Sequence, residues 1–302
     1  MPESNESLIR SRAFSAKPWG HLRDIDRCLW RLHNNERRTI VQARVGAQAV
    51  ADGAAKFTIP RIEESPLSHE SSNTCQPGTH RRVRSFVRRA GRITSAQERA
   101  FHDLWPRYGL EFSAIPLDLQ RAFGRPAERV LEIGFGDGES LVQQAAGNPE
   151  LDYLGIEVHR PGVGHCLLQA EARGLGNVRL ISHDAIEVLK QQLPDRSLRR
   201  INLYFPDPWP KKRHHKRRLV QADFLKLAAG KLEQGGALHI ATDWENYAEH
   251  IDEVVAGSDE FLVRERRVHD GDRPLDRPTT KFERRGLALG HRITEWRLDR
   301  KR

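Results

Sequence analysis

Glu132-Ile133-Gly134-Phe135-Gly136-Asp137-Gly138 closes a short apolar run and opens a helical pattern, and its reading decides the fold. Arg129 to Ile133 is strand-like, and Gly138 to Gly147 has helical spacing. Glycines between the two let the backbone turn tightly and approach a ligand closely. The same alternation continues downstream. Tyr153 to Val158, Val178 to Ser182, Arg200 to Phe205 and Ala237 to Ala241 read as strands. Gly162 to Arg173, Ala185 to Gln192, Leu219 to Leu232 and Glu245 to Val255 read as helices, with Gly235-Gly236 as the stop of the third. Phe261 to Arg267 and Arg292 to Leu298 add two late strands, and Ser95 to Tyr108 a leading helix capped at Thr94 or Ser95. Five βα units in series predict an α/β, doubly wound, mostly parallel sheet with a late antiparallel strand. Right-handed crossovers then place the loops after the strands on one edge, where ligands bind.

The glycine loop alone is a weak signal. Its spacing is G-x-G-x-G, not the G-x-G-x-x-G of dinucleotide enzymes, and Glu132 stands two positions before Gly134. A carboxylate there repels a pyrophosphate. It attracts the ammonium and sulfonium of S-adenosyl-L-methionine. Glu157, at the end of the second strand, is placed to accept ribose hydroxyls. Asp184, at the end of the third, is placed to accept from an adenine amine, or simply to cap a helix. Acids at three successive strand ends follow the pattern of the class I methyltransferases. The fourth strand ends in Phe205-Pro206-Asp207-Pro208-Trp209, where two prolines stiffen the loop around a carboxylate beside the expected cofactor site.

Charge is unevenly placed. The net charge is +9, and residues 1–92 hold 17 Lys and Arg against 9 Asp and Glu. Residues 1–80 read as a basic, disordered extension, with residues 81–302 as the folded domain. Arg81 to Arg92 carries six arginines, and Lys211 to Arg218 six basic residues, with no acid in either run. Such clusters suit a polyanion. The apolar runs are too short to span a bilayer. There is no secretory pattern near Met1, and Cys28, Cys75 and Cys166 form neither a metal pair nor a disulfide framework. A cytoplasmic protein without a metal is expected, either monomer or homodimer.

From about Arg84 to Arg297 the chain resembles the bacterial tRNA (guanine-N7-)-methyltransferases, a family that modifies guanine 46 in the variable loop. The resemblance rests on Arg84-Ser85-Phe86-Val87-Arg88-Arg89, Leu131 to Gly136, Gly155-Ile156-Glu157-Val158-His159, His183-Asp184-Ala185 and Phe205 to Trp209. It continues through Lys216-Arg217-Arg218, Ala241-Thr242-Asp243-Trp244 and Thr280 to Gly286. It implies cofactor contacts at Glu132, Gly134, Gly136, Glu157, Asp184 and Asp207, and a catalytic role for Asp207. It implies substrate contacts at Lys211, Asp243, Thr280, Lys281, Phe282 and Glu283. It implies RNA contacts at Arg213, His214, His215, Lys216, Arg217 and Arg218.

The chemistry suits these residues. Guanine N7 has a free lone pair and no proton, so its methylation needs no general base. A buried carboxylate at position 207 would accept from guanine N1–H and its amine and would face the ring as it becomes cationic. Trp209, Trp244 and Phe282 are candidate stacking partners, with Phe282 placed in a polar loop. Other readings predict other residues. A non-catalytic RNA-binding protein would have lost the cofactor acids. A nicotinamide-dependent oxidoreductase would carry G-x-G-x-x-G. A methyltransferase for another RNA acceptor would differ at the product atom.

Overall fold

Alternate residues of β1 (Arg129–Ile133) face opposite sides of the sheet, and both sides are covered. Leu131 and Ile133 join one apolar cluster, and Val130 joins another. The computed structural model describes residues 85–86, 91–272 and 277–301. The expected extension 1–80, and most of Arg81 to Arg92, lie outside them.

In chain order the elements are α1 (Ser95–Tyr108), α2 (Leu119–Phe123), β1, α3 (Glu139–Gly147), β2 (Asp152–Ile156), α4 (Arg160–Ala172), β3 (Val178–Ile181) and α5 (Ala185–Gln191). Then come β4 (Leu198–Tyr204), a 3-10 turn (Lys212–Arg217), α6 (Ala222–Lys231), β5 (Leu232–Thr242), α7 (Glu245–Ala256), β6 (Phe261–His269), α8 (Lys281–Ala288) and β7 (Ile293–Arg300). The sheet order is β3-β2-β1-β4-β5-β7-β6. Pairing is parallel from β3 to β5, and β7 runs antiparallel to both β5 and β6. The expected architecture is therefore present, including the late antiparallel strand.

One face is built from Leu131, Leu154, Ile201, Leu203 and Ile240 against side chains of α5, α6 and α7. The other packs Val130, Tyr153, Val178 and Leu180 against α1, α3 and α4. That second cluster draws nothing from β4 to β7, where the same face carries polar side chains. Among the described residues no helix is long and apolar enough to cross a membrane.

Three local expectations differ. The third downstream helix is shorter than 219–232, because Val220 and Gln221 stay outside it and the chain enters β5 directly at Leu232. Gly235-Gly236 therefore lies within β5 rather than stopping a helix, with Gly235 at φ 78°. The segment after Thr280 is a helix, not a loop. Thr280 accepts from the Glu283 N–H, and Glu283 answers with its carboxylate, a capping box.

The loop after β1 is held from behind. Gly134, Gly136 and Gly138 all have positive φ. A Cβ on Gly162 of α4 would stand 2.1 Å from the Gly136 carbonyl oxygen, so α4 rests directly on the loop's backbone. Gly162→Ala should push helix and loop apart and lose about 1–3 kcal/mol of stability in denaturant unfolding. Unchanged stability would contradict this close packing.

Candidate active site

Parallel pairing in register brings four strand ends to one edge. Ile133 pairs with Ile156 and Leu203, and Ile156 with Ile181. A cleft of about 370 Å³ opens along that edge. Five of the expected site residues line it: Gly134, Gly136, Glu157, Asp207 and Phe282. Ser85 and Phe86 line it too, so the described part of the Arg84 to Arg89 motif reaches the pocket.

Glu157 is already engaged. Its carboxylate accepts from the backbone N–H groups of Gly136 (2.9 Å), Val158 (2.7 Å) and His159 (2.9 Å). Burial raises its carboxyl against these three bonds. A carboxylate has about four acceptor positions. Holding both ribose hydroxyls would therefore require sharing or releasing a backbone donor. Asp184 caps α5 through Ile186 N–H at 2.9 Å. It borders the pocket only through its neighbours His183 and Ala185, and His183 is fixed by stacking on Phe112 at 3.8 Å.

Glu132 is not on the pocket wall. It is buried beneath the glycine loop and accepts from Gln144 at 3.2 Å. Burial pushes its carboxyl up to about 8, while Arg277 and Arg200 act in the opposite direction. Burial therefore favours the protonated form, and a cationic ligand beside the loop would favour the carboxylate.

The Pro-Asp-Pro turn is strained at both ends. Phe205 has φ 53° and Trp209 φ 46°. Bulky residues there cost about 1–3 kcal/mol each and persist only where the surroundings over-determine them. Several contacts do so. The Trp209 indole donates to the Ser85 carbonyl at 3.0 Å and lies under the Arg217 guanidinium at 4.6 Å. Arg218 donates to the Pro208 carbonyl at 3.0 Å and to Asn246 Oδ1 at 2.8 Å, above the Tyr247 ring. Asp207 itself is exposed at the pocket mouth, not buried as the charge argument supposed. Its charge reaches Tyr247, whose hydroxyl burial pushes up to about 12.

The basic run divides. Lys211, Arg213 and Lys216 are exposed, and His214, His215 and Arg217 half-buried. Arg218 is buried and bonded within the protein, so its guanidinium is not offered to RNA. The late motif divides as well. Phe282 is 51% exposed at the pocket, near Gly136, and Lys281 is exposed. Glu283 is buried and paired with Arg277 at 2.6 Å. Asp243 lies on a separate cleft of about 690 Å³, accepting from His291 at 3.1 Å, with Trp244 edge-on to that histidine. A Cβ on Gly286 would meet the Asp243 carboxylate at 2.7 Å, which explains a glycine in α8 there.

Sequence reasoning missed Arg277. Its guanidinium is buried between Glu283 of α8 and Glu295 of β7, over the rings of Tyr204 (5.0 Å) and Phe205 (5.7 Å). Burial opposes its charge, but Glu295 and Glu283 hold it above its usual value. Burial would likewise raise the Glu295 carboxyl, yet His239 and Arg277 keep it well below the carboxylate range. His269, Glu283 and Glu295 stand close enough to share an ion, but Arg277 already supplies the positive charge there.

A family described as putative methyltransferase matches residues 126–296. The chain is 57% identical over 224 residues to the tRNA (guanine-N(7)-)-methyltransferase of Alkalilimnicola ehrlichii, covering 70% of this chain and 90% of that protein. The proteins of that name from Photorhabdus laumondii (54%; 70% and 89% covered) and Escherichia coli (52%; 73% and 92% covered) are similar. This chain belongs to the tRNA (guanine-N7-)-methyltransferase family. The enzyme thus carries its pocket loop, its Pro-Asp-Pro turn and the Phe282 helix within the matched span, together with the buried Arg277.

The Glu132 carboxyl makes stability depend on pH. Its folded value, about 8, lies above the ordinary 4.5, so the folded state holds the proton more tightly. Its contribution is favourable at low pH and is lost as pH rises from the unfolded value through about 8. Urea unfolding at pH 5 and pH 9 should show the wild type losing more stability than Glu132→Gln, by at most a few kcal/mol. Equal losses would contradict a neutral Glu132.

Proposed function

We propose that the enzyme transfers a methyl group from S-adenosyl-L-methionine to N7 of guanine in tRNA, at position 46 of the variable loop, in the cytoplasm. What carries the reading is the convergence of Gly134, Gly136, Glu157 and Asp207 on one cleft in a chain of this family. The cleft suits the cofactor. Backbone-lined glycine leaves room at Gly134, where an added Cβ would meet nothing within 4 Å. Ile156, Val158 and Leu219 give apolar walls beside the Glu157 carboxylate. When bound, S-adenosyl-L-methionine supplies an electrophilic methyl on a sulfonium.

The protein's own part is to hold the base. Asp207 accepts from guanine N1–H and the exocyclic amine, a pattern adenine does not offer. N7 would take the methyl with its lone pair as the carbon–sulfur bond breaks and its electron pair passes to sulfur, so no proton is removed and the ring would become cationic. The Asp207 charge faces that ring. Its exposure weakens the effect while water fills the mouth. A base entering the mouth displaces that water and strengthens it. Phe282 offers an exposed ring at the same cleft for stacking. Lys211, Arg213 and Lys216 follow the turn and grip phosphates beside the target, while Arg218 keeps the turn in shape. Asp243, Thr280 and Glu283 serve this site through α8 rather than on the cleft's wall.

Unmodified tRNA incubated with enzyme and cofactor, then treated with borohydride and aniline, should break at one guanine. Methyl incorporation without scission would move the product to another atom. Asp207→Asn should lower turnover at saturating substrates by about 100-fold. Near-wild-type turnover would remove the electrostatic role. Binding of tRNA should weaken with salt at a log–log slope of about −0.7 to −0.9 per phosphate contact. A flat response would remove the phosphate grip.

A further inference from the structure

Ser85 and Phe86, from the arginine-rich motif before α1, both line the cleft. Trp209 fixes them there. Its indole N–H donates to the Ser85 carbonyl at 3.0 Å, and that carbonyl belongs to the peptide unit joining Ser85 to Phe86. Trp209 stands two positions beyond Asp207, so the bond ties Phe86 to the β4 side of the cleft. Gly91 lies instead on the β2 side, where an added Cβ would stand 2.7 Å from His159 Nε2.

The two sides of the cleft suit different ligands. The ends of β2 and β3 contribute Glu157, Val158, His183 and Ala185, a carboxylate among small walls that fits a nucleoside. The end of β4 contributes Asp207, which holds the edge of a guanine in the reading above. A base held by its edge still exposes two faces, and unpaired RNA bases are commonly covered by aromatic side chains. Few rings are placed to do this beside Asp207. Trp209 is not on the cleft wall: Arg217 lies over its ring at 4.6 Å and His214 meets it edge-on at 5.8 Å. Trp244 lines the separate Asp243 cleft. Tyr204 and Phe205 face the Arg277 guanidinium at 5.0 and 5.7 Å. Phe282 stands by the glycine loop, beside Gly136. Phe86 is half-buried, lines the cleft and is tied to the turn that carries Asp207.

We propose that Phe86 is a further substrate-binding residue, whose ring stacks on the target guanine while Asp207 holds the edge of the base, with Trp209 as the residue that positions it. The proposal rests on the methyl-transfer reading and deepens it. Stacking is sequence-tolerant, because every base has a π-face, so Phe86 secures the base and Asp207 selects it. Phosphate contacts dominate the affinity for RNA, so tRNA stays bound when the ring is lost. What falls is the fraction of bound tRNA with its guanine in the cleft, in line with the donor methyl. Phe86 therefore acts on turnover more than on tRNA or cofactor affinity.

Methyl transfer to unmodified tRNA, at saturating tRNA and S-adenosyl-L-methionine, tests it together with titration of S-adenosyl-L-homocysteine into the same full-length proteins. Phe86→Ala should lower the transfer rate about ten-fold or more, Phe86→Tyr should restore it, and S-adenosyl-L-homocysteine should bind both as it binds the wild type. Retained binding also shows that each variant is folded. Trp209→Phe keeps a ring but removes the indole N–H, and should show the same split between rate and cofactor affinity. A full transfer rate in Phe86→Ala overturns the proposal. So does a loss of S-adenosyl-L-homocysteine affinity in that variant, which would assign the ring to the cofactor. A wild type that methylates no tRNA would remove the methyl-transfer reading, and this proposal with it.

Discussion

The buried guanidinium of Arg277 joins three parts of the molecule that meet at the pocket. It pairs with Glu283 in the first turn of α8 and with Glu295 in β7, and it lies over the rings of Tyr204 and Phe205 at the end of β4. Breaking a buried pair from one side costs about 3–5 kcal/mol, because the partner is left charged and unsolvated. That energy exceeds the strain of a left-handed Phe205. The Pro-Asp-Pro turn can therefore keep its unfavourable backbone. The same contacts fix the helix that presents Phe282 across the cleft.

Around that anchor the site is assembled from the back. Glu132 and Gln144 sit under the glycine loop, Gly162 presses on its carbonyl, and Glu157 ties its Gly136 N–H to β2. On the other side Arg218 and the Trp209–Arg217 stack fasten the turn. Several residues that a family pattern assigns to ligands thus have a mechanical duty as well. Glu157 both lines the pocket and latches its loop, so a ligand that bonded to this carboxylate would act on the loop geometry as well.

The sheet was legible because its signals are local. Apolar runs of strand length, separated by turn residues and helical periods, gave the order of β1 to β5 and the edge where the loops gather. Register then made strand-end spacing a guide to Gly134, Glu157 and Asp207. Burial was not legible, since it depends on what covers a residue. Nothing in the spacing of Glu132, Arg218 or Glu283 marks them as interior. Arg277 stands in a polar stretch between β6 and α8, where sequence offers no period to read. The helix after Thr280 did carry a signal, the Thr-x-x-Glu capping box, hidden by the low apolar content around it.

Arg277 and Glu283 act as one unit holding the pocket's walls together. A double-mutant cycle of Arg277→Met and Glu283→Gln, read in unfolding free energy, measures it most directly. Each single change should cost about 3–5 kcal/mol, and the double change far less than their sum. Additive losses would mean that the two side chains stabilise the protein independently, and would contradict it.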